Sequence, residues 1–282
     1  MFSKRWNIAI PIRSWFSDHH FAGRTVLAAV EAMQILAMTV QVEYPYLDVR
    51  RIRDGRFAKL LEIPPTATVI DALVELVHGE NGVVCVRLLT KAHGKAMTRL
   101  VAHCEMTFAA DAVPDAEWKT WADEPCTDAT LIVSAARVYQ ELVPFGPAYR
   151  TVQDRLFLHA DAAWGSLLAP ELEHPQTEPL GSPFPLDGAM HVACVHGQRL
   201  VDFVPFPVSF IARRIVKPTR AGERYRVQAL LQACGEDELL YDLCILDEQE
   251  QVRETVRGLR MRDVSRGRIK PPAWIKAIVQ KG

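Results

Sequence analysis

The sequence predicts an α+β protein made of two halves that repeat one order of elements. Three observations predict it. Two segments, 26–42 and 186–195, are apolar with few polar interruptions. Each is followed by a series of strand-like runs separated by turn residues, the pattern of antiparallel sheet beside helix. An acidic stretch with two prolines, 111–130, lies between the two series. A chain of 282 residues is long for one domain and suits one large unit or two fused ones.

Residues 8–12 (IAIPI) read as a short strand. Apolar residues at Val26, Ala29, Val30, Met33, Ala37 and Val40 predict a helix over 25–41, and Glu31 and Gln34 are too few to give it a solvent face. Strands follow at 48–63, 67–77, 83–91 and 98–110, with hairpin turns at Gly79 and Gly82 and at His93 and Gly94. After the linker, 134–142 reads as a short helix leading to Phe145-Gly146-Pro147. Strands at 152–158 and 162–168 come next, then a loop over 170–185 with five prolines. The second buried helix is expected over about 187–197, and strands at 204–216, 224–234, 239–247 and 251–262 complete the half. The boundaries expected are 1–110 for the first half, 111–133 for the linker, 134–264 for the second half and 265–282 for a basic surface tail. The halves agree in element order and not in residue identity.

Apolar residues make up 49% of the chain and charged residues 24%, enough to bury a sizeable core. The formal net charge of -1 provides no global field for nucleic acid or an anionic membrane, so neither is an expected partner. The N-terminus lacks an apolar leader, and the 26–42 segment is interrupted by polar residues, so no membrane span is expected. Six cysteines, at 85, 104, 126, 194, 234 and 244, form no CxxC pair. Reduced thiols in apolar runs fit the cytoplasm. No His/Cys/Asp/Glu spacing suggests a metal site, and no Walker, dinucleotide or nucleophile-elbow motif is present, so no cofactor is expected.

Two short constellations could carry chemistry. Asp18-His19-His20-Phe21-Ala22-Gly23 precedes the first buried helix. Positive potential at a helix N-terminus disfavours a second charge on an imidazole, which keeps it neutral and able to act as a base. By itself the segment reads more readily as a surface turn with two solvated histidines. Asp187 opens the second buried helix with His191 one turn later on the same face. An aspartate there is more often an N-cap than a catalyst. A histidine in so apolar a stretch nevertheless needs a partner, and a structural Asp187–His191 hydrogen bond is the other alternative.

In order, these pieces resemble the dehydratase domain of polyketide synthases, a double-hotdog fold. That family carries HxxxGxxxxP, GYxYGPxF, DxxxQ/H and LPFxW. Here His19-x-x-x-Gly23 matches the first, with Ala28 at the proline position. Leu142-Val-Pro-Phe-Gly146-Pro147-Ala-Tyr149 matches the second in its Gly-Pro core, with Val143 and Phe145 where the family has tyrosines. Asp187-x-x-x-His191 matches the third. Val204-Pro205-Phe206-Pro-Val208 matches the fourth with altered ends. The resemblance spans about residues 5–264.

It implies two antiparallel sheets, each wrapped around a long central helix. It implies His19 as base and Asp187 as acid, acting on a β-hydroxyacyl thioester to release water and an enoyl thioester. Gly23, Phe145, Gly146, Pro147, His191, Pro205 and Phe206 are the implied substrate-binding positions. The implied partners are an acyl carrier protein bearing a phosphopantetheine-linked acyl chain and other synthase components, with a homodimer also in view. Two alternatives share the resemblance: an isomerase or cyclase using the same pair on a polyketide or fatty-acyl thioester, and an inactive structural hotdog in a synthase complex.

Three expectations about the site follow. His19 and Asp187 face one another across a cleft between the halves, with His191 orienting Asp187. The cleft is a narrow apolar tunnel built from Phe21, Val26, Val143, Phe145, Tyr149, Phe184, Met190, Phe206 and Val208, suited to fatty-acyl-like chains. Its dryness raises the pKa of Asp187 and lowers that of His19.

Overall fold

The structure, a computed structural model, describes residues 3–80, 82–93, 97–109, 129–171 and 179–276. Strand β1 (Ser3–Pro11) leads through a single 3-10 turn, Ser14–Asp18, into a two-residue hairpin, β2 (His20–Phe21) and β3 (Arg24–Thr25). The first central helix, α1 (Ala29–Glu43), starts four residues later than the apolar pattern suggests. The reason is local pairing. Thr25 belongs to the hairpin, and the N–H groups of Val26 and Leu27 are taken by the carbonyls of His19 and Leu61. Ala28, at the position where the resembled family has proline, has φ −63 and ψ 144. A proline ring locks φ near that value, so the helix begins there with the same backbone.

Four strands complete the first half: β4 (Arg51–Phe57), β5 (Val69–His78), β6 (Val84–His93) and β7 (Thr98–Phe108). The expected strand over 48–63 is therefore only seven residues long, and 58–63 runs on outside the sheet. Gly79 closes the β5–β6 hairpin by donating its N–H to Val83, and Gly82 takes φ +70 in that turn. The expected turn at Gly94 and most of the expected linker lie outside the described residues. The linker's end does not: β8 (Leu131–Ser134) pairs with the next strand, which corrects the boundary at 133.

The second half continues with α2 (Ala135–Arg137), capped by the Ser134 hydroxyl and prolonged by a π turn over Val138–Leu142. Strands β9 (Val152–Leu158) and β10 (Ala162–Leu168) match the expected spans. The second central helix, α3 (Phe184–Gly197), begins inside the proline-rich segment. Pro183 is its N-cap and Pro185 lies in its first turn, where backbone N–H groups have no intrahelical partner to lose. Strands β11 (Phe206–Ile215), β12 (Arg224–Cys234), β13 (Glu238–Leu246) and β14 (Val252–Arg262) follow. The expected surface tail is packed as far as the described residues go. Ser265 and Ile275 are buried, and Trp274 in α4 (Ala273–Lys276) donates to Glu141 at 2.6 Å beneath the Arg137 guanidinium.

Among the described residues twelve strands form one antiparallel sheet in the order β1-β5-β6-β7-β4-β11-β14-β13-β12-β10-β9-β8. The first five belong to one half and wrap α1; the other seven belong to the second and wrap α3. This is the double hotdog. Its two sheets are continuous through β4 and β11, where Ser209 pairs with Arg56 and Arg213 with Ile52. Every residue of α3 is buried, as its nearly uniform apolarity requires. Helix α1 is buried over most of its length but exposes Met38 and Val42 near its end. Its polar interruptions are satisfied across the fold: Trp15 donates to Glu31 at 2.9 Å, and Gln34 donates to the Gly181 carbonyl of the other half. No helix among the described residues is long and apolar enough to cross a membrane.

His196, fully buried in the last turn of α3, pins that helix to the sheet. Its Nε2 donates to the His159 carbonyl at 3.1 Å, and its Nδ1 accepts from the Tyr241 hydroxyl at 2.8 Å. Burial pushes its pKa down from 6.5 to about 4. The unfolded chain takes up this proton near pH 6.5 and the folded chain does not, so stability falls as pH drops from 6.5 toward 4. At pH 5 the loss from this group is about 2 kcal/mol relative to pH 7.5. Urea unfolding at the two pH values should show wild type losing that much more than a His196→Gln variant. Equal losses would exclude His196 as the source.

Candidate active site

The loop before α1 and the first turn of α3 come from opposite halves and meet at one cavity of about 610 Å³. His19, Asp187 and His191 all lie on its wall. His19 is held on several sides. Its Nδ1 donates to the Val26 carbonyl at 3.1 Å, Phe145 stacks on the ring at 4.5 Å, and Tyr149 meets it edge-on at 5.0 Å. A carbonyl can only accept, so the proton sits on Nδ1 and the lone pair on Nε2. Burial lowers the pKa of His19, with the Asp187 carboxylate acting in the opposite sense. His20 also reaches the cavity wall, edge-on to Phe145 at 6.2 Å.

Asp187 is buried, with its Oδ2 2.9 Å from His191 Nε2. The two atoms are at ion-pair distance without the alignment of a regular hydrogen bond. Behind them, Tyr139 accepts from the Val152 N–H at 2.8 Å and faces His191 Nδ1 at 3.4 Å. With its own proton turned toward Nδ1, Tyr139 leaves the His191 N–H at Nε2, toward Asp187. Burial alone would raise the pKa of Asp187, but His191 and His19 together outweigh it and bring the carboxyl below its ordinary value. The dry-wall expectation of a raised value is thereby corrected: two imidazoles at close range stabilise the anion more than desolvation penalises it.

Not every expected position is on the wall. Phe145, His191, Pro205 and Phe206 line the cavity, whereas Gly23, Gly146 and Pro147 do not. Gly23, at φ +77, turns the hairpin between β2 and β3. Gly146 instead faces Asp18, where a β-carbon would stand 2.4 Å from Oδ1. Of the expected apolar lining, Phe21, Val26, Val143, Phe145, Met190 and Phe206 are present; Val208 is not on the wall, and Tyr149 and Phe184 are buried behind it. The cavity is not uniformly apolar. Its exposed rim carries Arg24, Lys59, Arg266 and Arg268 beside Glu62, and His103 adds a further polar group.

Three groups near the pair escaped the sequence. Tyr139 sits in a segment read only as a short helix. Glu31, buried in α1 with its pKa raised by burial, read as a mere interruption of an apolar face. Asp18 stood beside the histidine with no sign of its partners. Among the described residues no cluster of three or more His, Cys, Asp or Glu side chains could hold a metal ion.

A double hotdog that brings His19 of one half and Asp187 of the other to the wall of one shared cavity defines the class of fold and site. The model of the polyketide synthase dehydratase N-terminal domain matches residues 122–270, more than half of the chain, a stretch that contains Asp187 and the Gly146-Pro147 turn. The chain belongs to the polyketide synthase dehydratase family. No curated protein sequence matches it. Solved structures with the same fold include a dehydratase domain of a trans-AT polyketide synthase from Brevibacillus brevis, 15% identical over 92% of this chain and 93% of that one, with a TM-score of 0.75. The dehydratase domain from the CurF module of the Curacin polyketide synthase is 15% identical over 92% of each chain, with a TM-score of 0.76. A bifunctional dehydratase-cyclase domain in ambruticin biosynthesis is 17% identical over 92% and 91%, with a TM-score of 0.70. At such identities these likenesses concern the fold.

Proposed function

We propose that this chain removes water from a β-hydroxyacyl thioester carried on an acyl carrier protein, giving the α,β-enoyl thioester. The observation that carries the reading is the meeting of His19 and Asp187, from opposite halves, on the wall of one cavity. An α-proton beside a thioester is weakly acidic and needs a positioned base, and hydroxide leaves only when protonated.

His19 Nε2 takes the Cα proton while its Nδ1–H stays on the Val26 carbonyl. The electron pair of the C–H bond forms the Cα=Cβ bond, and the Cβ–O bond breaks. Asp187 protonates the departing oxygen, which leaves as water. Because Oδ2 is turned to His191, Oδ1 is the oxygen that serves the substrate. In the empty site the two imidazoles favour the carboxylate. The acid role therefore requires Asp187 to take up a proton as substrate binds, against the pull of the two imidazoles. The basic rim supports a carrier-borne substrate, whose phosphopantetheine arm brings a phosphodiester to the cavity mouth.

Intact-protein mass spectrometry after incubation with a 3-hydroxyacyl carrier protein tests the reading. Loss of one water from the carrier is the expected result. Where the mass is unchanged, chromatography of the acyl chain released from the carrier decides: a shifted retention would replace the reading with the isomerase or cyclase alternative, and an unaltered substrate with the structural one.

A further inference from the structure

The loop that bears His19 is gripped by the other half of the molecule at the residue just before the histidine. Gly146 donates its backbone N–H to the Asp18 carbonyl at 2.8 Å. Two residues on, Ala148 donates its N–H to Asp18 Oδ2, also at 2.8 Å. The absence of a side chain at Gly146 is what admits the carboxylate, since a β-carbon there would lie 2.4 Å from Oδ1 and 2.5 Å from Cγ. The same turn brackets the clamp with the two rings that hold the imidazole, Phe145 stacked at 4.5 Å and Tyr149 edge-on at 5.0 Å. One short segment of the second half thus touches the base on two faces and its neighbour at two polar atoms. Asp18 itself is absent from the cavity wall, so it meets no reacting atom.

We infer that Asp18 is a positioning residue: its carboxylate, bound across the seam to the Gly146-Pro147 turn, sets the orientation of His19 against Asp187. The inference rests on the reading of His19 as base. The clamp has a physical purpose that ordinary loop packing would not serve. The acid is rooted in α3 of the second half, whereas the base sits on a loop of the first. Any relative motion of the halves would change the distance between them. Tying the residue beside the base to a turn of the acid's own half refers both groups to one frame. Misplacement of a catalytic group by about 1 Å can cost on the order of 100-fold in rate.

The test uses the full chain with Asp18→Ala and Asp18→Asn, assayed with the 3-hydroxyacyl carrier protein. Asp18→Ala is expected to lower kcat roughly 10- to 100-fold with KM within about 2-fold of wild type. Asp18→Asn should recover most of that loss, because its amide oxygen accepts the same N–H. Histidine NMR gives a readout that does not need turnover. The His19 Nδ1–H signal, protected by the Val26 carbonyl in wild type and Asp18→Asn, should broaden or vanish in Asp18→Ala while that of His196 persists. If Asp18→Ala does not fold, Gly146→Ala, which pushes a methyl into the carboxylate, is expected to give the same kcat loss and NMR change. Wild-type kcat and an unchanged His19 signal in Asp18→Ala, or in Gly146→Ala where that variant replaces it, would overturn the inference. Equal losses in Asp18→Ala and Asp18→Asn would overturn it too, since charge and not the bond would then matter. A wild type that turns nothing over while the NMR differences hold would remove the dehydratase reading and leave the clamp standing.

Discussion

His19→Ala should lower turnover of a 3-hydroxyacyl carrier-protein substrate by roughly 100- to 10,000-fold while leaving the urea midpoint nearly unchanged. The imidazole sits on a loop, and its loss removes one hydrogen bond to the Val26 carbonyl and a stack on Phe145. Neither is central to the core, so the effect falls on chemistry and not on folding. Asp187→Asn should reduce kcat by a comparable factor, because an amide can fill the space beside His191 but cannot deliver a proton. Wild-type kcat should fall on the acid side with a midpoint below 6.5, since Asp187 already holds its proton in the substrate complex, burial depresses the pKa of His19 and only its neutral form is a base. Undiminished turnover in either variant would sink the assigned mechanism. A midpoint above 6.5 would show that the Asp187 carboxylate outweighs burial at His19.

Replacing Arg213 by Met should cost about 3–5 kcal/mol of stability, the largest effect expected at one side chain outside the site. Arg213 on β11 binds the Glu254 carboxylate on β14 at 2.7 Å and 3.3 Å, with both side chains almost wholly buried. Its remaining nitrogen lies 3.7 Å from Met33 Sδ of α1, and its backbone pairs with Ile52 of β4. The ion pair therefore lies at the seam where the two sheets join. Removing the arginine leaves a carboxylate buried without a counter-charge. Replacing both partners, Arg213→Met with Glu254→Leu, should recover most of the loss because no charge is then stranded. Urea unfolding measures both. A single variant losing less than about 1 kcal/mol would show that water reaches Glu254 and that the seam is looser than its burial indicates.

The sequence by itself determined the elements and their order. A helix buried on all sides has nowhere to put a polar face, so the apolar runs around Met33 and Met190 announced α1 and α3. Alternation and turn residues located the strands, and β9 and β10 carried their full patterns within a few neighbouring residues. Asp187 and His191 were legible as candidates because polar side chains in an apolar stretch need a reason. His19 by itself read as part of a solvated turn and stood out only by its place before a buried helix and by the order of motifs.

Tertiary structure alone decided what joins the halves. Periodicity reports on neighbours a few positions apart, whereas the β4–β11 pairing, the Gln34 bond to Gly181 and the Asp18 clamp on Gly146 and Ala148 link residues far apart in the chain. It likewise moved Gly146 from the expected substrate wall to a contact with Asp18. The direction of the Asp187 pKa belongs to the same class. Burial and nearby imidazoles push it opposite ways, and which wins depends on distances that no linear pattern contains.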